Sequence, residues 1–354
     1  MNKKSWILAC AIILVFANSI AQVNNIHPIQ AKVDSIIKLN LVPGIMVASS
    51  VKGKHQFFTA GVADKKSNLA FTPETQFEIG SISKTFTAFL LESVLLKNNI
   101  ADTSLITQFL PDSLKKNQAI TAIQIVHLLN HTSGLPRLPE NIGIPQDRLQ
   151  PYANYDKDNL YYYLNITEPK TFGKVAYSNL GVGLAGVIAE NISSRSYEQL
   201  LVEYINKPFQ LKHTGIEPAK RMPKATGYFG NEVATYWNMS VLVGAGGIKS
   251  DATDLLQYLD IIASNQNVTV VKSVLQKTTQ INKQVAIAKA WHTIEKDGTT
   301  FLYWHNGGTY GFSTFAAFNP TNQNSIVVVI NAFNKNNIAD RLGIDIMKIG
   351  RAHV

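Results

Sequence analysis

Apolar and polar positions change period along this chain, and the changes mark its elements. Ile29, Val33, Ile36 and Ile37 recur at helical spacing behind Pro28, so a helix is expected from Ile29 to Leu39. "GIMVASSVKGKHQFFTAGVAD", Gly44 to Asp64, reads as two strands around a turn at Lys52-Gly53. The segment from Thr75 leads into an apolar helix that follows Ser81. Ile120, Ile123, Ile125, Leu128 and Leu129 have helical spacing, ending in a Ser133-Gly134 turn. Residues Pro139 to Phe172 are polar, aromatic and interrupted by proline, which predicts a long loop with short helices over a cleft. Leu180 to Asn191 is small and apolar and reads as a close-packed helix. Its glycines cost ~1 kcal/mol each against alanine, a cost that close backbone approach would explain. Tyr197 to Asn206 reads as another helix. Ser250 is the expected cap of a further one, with Asp251 and Asp254 in its first turn. "TTFLYWHNGG" and "STFAAFNPTNQNSIVVVINAFN" read as three consecutive strands, and Asn337 to Ile349 as a closing helix.

Strands thus lie at both ends and helices in the middle. The economical α/β (α+β) fold is one sheet built from both chain ends, with a mainly helical domain inserted. The expected boundaries are 22–75 and 240–354 for the sheet domain and 76–239 for the helical domain, with a site in the groove between them.

Composition narrows the function. The chain has 354 residues, 45% of them hydrophobic, ample for a large core. "MNKKSWILACAIILVFANSIAQ" pairs Lys3 and Lys4 with an apolar run and small residues at 19 and 21. It reads as a signal peptide, residues 1–21, cut after Ala21. The run from Trp6 to Ala17 is short of the ~20 residues of a spanning helix. An exported protein is expected, periplasmic if its source has two membranes. Cys10 is the single cysteine and leaves with the signal, so the mature chain has no disulfide and no thiol nucleophile. No Cys/His cluster has zinc spacing and no HExxH is present, so neither metal nor cofactor is called for. Net charge is +9, and the basic residues are scattered without interleaved aromatics, which speaks against nucleic acid. No stable partner is implied, and a monomer is expected.

Three short patterns carry candidate chemistry. Ser-x-x-Lys occurs four times, at Ser35, Ser49, Ser81 and Ser113, so the pattern alone decides nothing. Residues at i and i+3 share a helix face, where a neutral lysine can take a serine proton. Only Ser81, with Lys84, combines a strand-like approach, a preceding Gly80 and a long helix behind it. Free N–H groups at such a helix start suit an oxyanion. Lys84 in the first turn opposes the helix dipole, which helps lower its pKa. Tyr-x-Asn occurs five times, at Tyr152, Tyr163, Tyr177, Tyr204 and Tyr236. Tyr177-Ser178-Asn179 precedes the rigid small-residue helix, and Tyr152-Ala153-Asn154 is its competitor. His-x-Gly occurs at His213-Thr214-Gly215 and at His305-Asn306-Gly307. The second ends a strand and opens into Gly307-Gly308, where a substrate could lie along the strand edge. "GAGG" at 244–247 is not a nucleotide fingerprint and reads as a tight structural turn.

Together "FEIGSISK", "LLNHTSGLP", "YSNLGVGLAG", "GAGGIKS" and "HNGGTYGF" occur in an order that resembles the serine β-lactamase and penicillin-binding protein superfamily, on its class C-like branch. The resemblance spans residues 77 to about 312. It implies the β-lactamase/transpeptidase-like fold, an antiparallel sheet flanked by helices. It implies that Ser81 is acylated, that Lys84 and Tyr177 share the proton work, and that backbone N–H groups of Ser81 and Gly308 form the oxyanion hole. It further implies that Asn179 holds the substrate's amide side chain, and that His305, Asn306 and Gly307 line the substrate. His305 and Asn306 would face the substrate carboxylate and steer the Tyr177 proton. Class C enzymes usually carry Lys-Thr-Gly where this chain has His305-Asn306-Gly307. A protonated His305 bound to a carboxylate predicts that kcat/KM falls as pH rises through ~6.5. The resemblance implies a class C-type β-lactamase acting on a small-molecule β-lactam. The alternatives are a D-alanyl-D-alanine carboxypeptidase, endopeptidase or esterase acting on D-Ala-terminated peptide or ester, and a penicillin sensor that acylates without turnover.

Overall fold

The computed structural model describes residues 27–349. The expected signal peptide, its cleavage site and Cys10 lie outside the described residues. The strands are β1 (Gly44–Val51), β2 (Lys54–Gly61), β3 (Phe77–Glu78), β4 (Gly227–Phe229), β5 (Glu232–Ala234), β6 (Lys249–Ser250), β7 (Thr279–Asn282), β8 (Val285–Ile287), β9 (His292–Lys296), β10 (Thr299–Gly308), β11 (Ser313–Phe318) and β12 (Ser325–Ile330). The helices of ten residues or more are α1 (Pro28–Lys38), α2 (Ser83–Lys97), α3 (Lys157–Ile166), α4 (Asn179–Ser193), α5 (Ala252–Ser264) and α6 (Asn336–Ile349).

Eight strands form one sheet in the order β2-β1-β12-β11-β10-β9-β8-β7. Every pairing in it is antiparallel, and the two chain ends meet where β1 pairs with β12, Val47 opposite Val328. The β1–β2 hairpin turns on Lys52 at φ +52° and Gly53 at φ +78°. Two positive φ values in a two-residue loop match the right-handed twist of the flanking strands. Alternate side chains of β1 and β12 serve two cores, which is why residues 45–48 and 326–330 are continuous apolar runs. Ile45, Val47, Ile326, Val328 and Ile330 face α1 and α6, while Met46, Ala48, Val327 and Val329 join the core that continues into α2, α4 and α5. Burying one such aliphatic side chain stabilises the fold by ~1.5–3 kcal/mol. The two small-residue segments are explained by proximity. A Cβ on Gly183 would lie 2.6 Å from Leu242 Cδ2, and one on Gly244 would lie 3.1 Å from Thr87 Oγ1.

Three expectations need correcting. The helix read over Ile120–Leu129 is α-helical only at Ile125–Leu129, with a 3₁₀ turn at Gln118–Ile120. Gln124 instead bridges Leu105, and Ile106 donates its N–H to the Ile123 carbonyl, so tertiary backbone pairing overrides the helical period. Ser250 is not the cap of α5, because it lies in β6, paired with Phe77. Asp251 takes that role, its carboxylate accepting the Asp254 N–H at 2.8 Å. The 244–247 turn is a one-turn helix, Val243–Gly246, and it packs against the Gly80–Ile82 turn described next.

Candidate active site

Ser81 sits in a 3₁₀ turn, Gly80–Ile82, between β3 and α2. Two glycines bring this turn against the end of β10. Gly80 has φ +52°, and a Cβ there would lie 2.7 Å from the Gly308 nitrogen. A Cβ on Gly307 would lie 2.0 Å from the Ile79 carbonyl oxygen. Thr314, across from Gly307 on β11, donates to that same oxygen at 3.0 Å. The Ser81 turn and the Gly308 N–H are therefore neighbours because no side chain separates them.

Lys84 follows one turn on, fully buried. Its amine lies 2.9 Å from Ser81 Oγ and also donates to the Ala245 carbonyl. Burial pushes the Lys84 pKa well below the ordinary lysine value, and the nearby Arg137 charge lowers it further. Burial deep beside Ser81, with a single backbone carbonyl as second partner, has the larger effect.

Tyr177 comes from the loop before α4, and "LLNHTSGLPR" holds that loop in place. Ala176 donates to the His131 carbonyl at 2.8 Å and Asn179 to the Arg137 carbonyl at 3.0 Å. Ser178 caps α4 through the Gly181 N–H and donates to the Pro136 carbonyl, both bonds short. Tyr177 is thus bracketed on both sides. Burial pushes its pKa up to about 12, outweighing the lowering by Ser81 beside it, so it is a phenol at neutral pH. The Lys84 amine lies 4.8 Å from its ring centre. The Tyr152 competitor is in the same pocket, packed edge-on against Trp237 at 5.1 Å.

His305 lies beneath Tyr177, its ring 6.3 Å away, with no exposed surface. Its Nδ1 donates to the Asn306 carbonyl at 2.6 Å, since a carbonyl can only accept. Nε2 then has no partner. Burial, with His292, Lys84 and His131 nearby, holds its pKa well below the usual histidine value. The expectation of a charged His305 on a substrate carboxylate is therefore corrected to a neutral imidazole behind the tyrosine. Asn306 is also corrected. Side chains alternate across a strand, so Asn306 faces the other side of β10 and donates to Asp340 of α6 at 2.7 Å. The Gly307 carbonyl is taken by Asn336 at 2.7 Å, so Gly307 serves close packing and the hold on α6.

The pocket at Ser81 has a volume of about 280 Å³. Arg137, Asn179, Gly308 and Asn336 line it, with Tyr152, Trp237 and Tyr310. Sequence reasoning missed Arg137, Trp237, Tyr310 and Asn336. Arg137 directly follows the "HTSGLP" segment, the one local signal available. Glu78, two residues before Gly80, ties three rims together. It accepts from Thr309 at 2.7 Å and from the Trp237 N–H at 2.5 Å, with Lys249 nearby. His213, the rejected His-x-Gly match, lies elsewhere, bonded to Asp251 at the start of α5. His213, Asp251 and Asp254 cluster closely, but every carboxylate oxygen there already accepts an N–H or O–H.

Comparison with known proteins agrees with this geometry. A 251-residue stretch is 32% identical to a beta-lactamase of Providencia stuartii, covering 69% of this chain and 62% of that protein. A beta-lactamase of Escherichia coli K12 is 29% identical over 276 residues, covering 77% of this chain and 68% of that one. The matched stretch thus spans about two thirds or less of these relatives. In fold, the class C beta lactamase of Rhodobacter sphaeroides superposes with a TM-score of 0.78 at 23% identity, over 92% of this chain and 99% of that one. The beta-lactamase/D-alanine carboxypeptidase of Pseudomonas syringae gives 0.77 at 22% identity, over 90% and 97%. The family model described as Beta-lactamase matches residues 30–349, nearly the whole chain, and the chain belongs to that family.

Proposed function

We propose that the chain is a serine hydrolase of the class C β-lactamase type, opening the lactam amide through an acyl-enzyme on Ser81. The 2.9 Å contact between a desolvated Lys84 amine and Ser81 Oγ carries the proposal. A lysine whose pKa is far depressed offers a lone pair at neutral pH. Ser81 Oγ attacks the carbonyl carbon as its proton passes to Lys84. The N–H groups of Ser81 and Gly308 receive the developing oxyanion, where losing one donor costs ~10²–10³ in rate. Tyr177, still a phenol, gives its proton to the leaving nitrogen and is reprotonated by the Lys84 ammonium. Water then attacks the acyl carbonyl, Lys84 takes its proton, and Ser81 is restored. His305 orients Tyr177 as a neutral group, and Asn179 binds the acyl side chain. The pocket lies between the parts 76–239 and 22–75 with 240–354.

A second proposed reading, hydrolysis of D-alanyl peptides or esters, is favoured by the neutral His305 where class C enzymes usually have a cation. Export through the 1–21 signal belongs to both readings. Among the described residues no helix is long and apolar enough to cross a membrane.

The test is a substrate panel on one preparation of mature protein: a chromogenic cephalosporin, a D-Ala-D-Ala peptide and a short ester. Cephalosporin turnover well above a Ser81→Ala control is expected, with ~10²–10⁴-fold loss in Lys84→Ala. Turnover equal to that control ends the first reading. Release of D-Ala, or ester cleavage alone, establishes the second.

A further inference from the structure

We propose that Arg137 makes the pocket selective for acyl donors that carry a carboxylate on the acyl side, with Asn179 and Trp237 completing that subsite. This rests on Ser81 as the acylated nucleophile.

Arg137 is a cation without a counter-ion. Among the other described arginines, Arg148, Arg195 and Arg341 each face a carboxylate, of Glu232, Glu203 and Asp345, while Arg221 also forms no ion pair but does not line the Ser81 pocket. Arg137 has no such partner among the described residues, and no carboxylate lines the pocket it shares with Ser81. Glu140 and Glu168 line an adjoining groove but form no ion pair with it. The guanidinium is held in place nonetheless. The Arg137 carbonyl accepts from Asn179 and Leu180 at the start of α4, and the guanidinium carbon lies 5.1 Å from the Tyr177 ring centre. Its unneutralised charge reaches inward and lowers the pKa of both Lys84 and Tyr177.

One further donor belongs to a residue that lines the same pocket. Trp237 Nε1 is buried without a hydrogen bond among the described residues, on a side chain only 8% exposed. Trp237 is fixed through its backbone, its N–H on Glu78 and its carbonyl on Lys249 at 2.6 Å. A guanidinium and an indole N–H are both donors with no acceptor supplied by the chain. Their complement is an acceptor-rich anion, and a carboxylate fits the planar guanidinium fork. The Arg137 carbonyl is bonded to the Asn179 N–H, and Asn179 is the residue proposed to bind the acyl side chain, so this subsite belongs to the acyl side. Tyr152 and Tyr310 also line the pocket and suit an apolar or aromatic spacer. The ligand class is an acyl group whose short chain ends in, or branches to, a carboxylate.

Three penicillins with one common leaving group isolate the charge: benzyl, α-carboxybenzyl and α-aminobenzyl. A matched ester pair, 4-nitrophenyl hydrogen glutarate and 4-nitrophenyl valerate, repeats the comparison without a lactam. Acylation of Ser81 is followed by intact mass and by steady-state kinetics in wild type, Arg137→Gln and Arg137→Glu. We expect the wild type to favour the anionic over the neutral side chain by roughly 2- to 5-fold, the range of a solvent-accessible ion pair. The preference resides in KM and shrinks with added salt. Arg137→Gln removes it, and Arg137→Glu inverts it toward α-aminobenzylpenicillin. A preference measured within one variant does not depend on how much of that variant is folded. Adducts with no charge preference, or a preference unchanged in Arg137→Gln, overturn the inference and leave the β-lactamase reading standing. A glutarate preference without penicillin adducts does the reverse. Absence of any Ser81 acylation overturns both.

Discussion

Replacing Gly80 by alanine tests the central contact of the site. The new Cβ would lie 2.7 Å from the Gly308 nitrogen and 3.1 Å from both the carbonyl carbon and the Cα of Gly307. Ordinary contact begins near 3.4 Å, so the turn and the end of β10 must part by about 0.7 Å. All three opposing atoms are backbone, so no rotamer change relieves the clash. Gly80 also has φ +52°, where an L side chain costs ~1–2 kcal/mol. Overpacking against fixed atoms adds ~1–3 kcal/mol, for a total of about 2–5. The gap opens between the two N–H groups proposed to hold the oxyanion, so acylation falls by ~10²-fold. Gly53→Ala is the control. Gly53 has φ +78° and nothing within 4 Å of its would-be Cβ, so it costs only the left-handed term and leaves acylation alone. Urea unfolding and burst-phase acylation measure both effects. The reasoning is refuted if Gly80→Ala unfolds at the same urea concentration as Gly53→Ala and acylates at the wild-type rate.

Three other outcomes follow from buried charge. Because His305 is held neutral, the kcat/KM profile has no limb near pH 6.5 that disappears in His305→Gln; such a limb would restore the charged histidine. The Asp340 pKa is raised to about 6, mainly by burial, from an ordinary 3.8. A folded-state pKa above the unfolded one means that stability falls as pH rises from about 4 to 6. Two pK units give ~2.7 kcal/mol as a ceiling, and partial exposure brings the expectation to ~1–2. Asp340→Asn should therefore gain that much relative to wild type at pH 8 and almost nothing at pH 4, by urea unfolding; an equal effect at both pH values contradicts the assignment. Lys289 pairs with Glu92 at 2.9 Å and Asp102 at 2.6 Å and donates to Ser273 at 2.7 Å. Lys289→Ala leaves the buried Glu92 carboxylate without its cation and should cost ~3–5 kcal/mol in the same assay, where a loss under ~1 kcal/mol would contradict this.

The sequence by itself determined what depends on neighbours a few residues apart. Apolar runs separated by Gly- and Asn-rich turns marked β10, β11 and β12, and the Lys52-Gly53 turn marked the hairpin. The three-residue spacing of Ser81 and Lys84 forces one helical turn between them, and Gly80 signalled the close approach that permits it. The order of motifs identified the family. Tertiary structure decided what depends on residues far apart in the chain. His305 looked like a charge switch because its local context is a strand end. Its neutrality comes from burial under Tyr177 and from His292 and His131, none of them adjacent to it. Asn306 looked like a substrate contact, but strand alternation turned it toward Asp340 of α6. Ser250 read as the cap of α5 until its pairing with Phe77 placed it in a strand and left that role to Asp251. Arg137 was an unremarked arginine after a turn. Folding set it beside Lys84 and Tyr177 without a carboxylate, because desolvation and charge depend on distance through space and not along the chain.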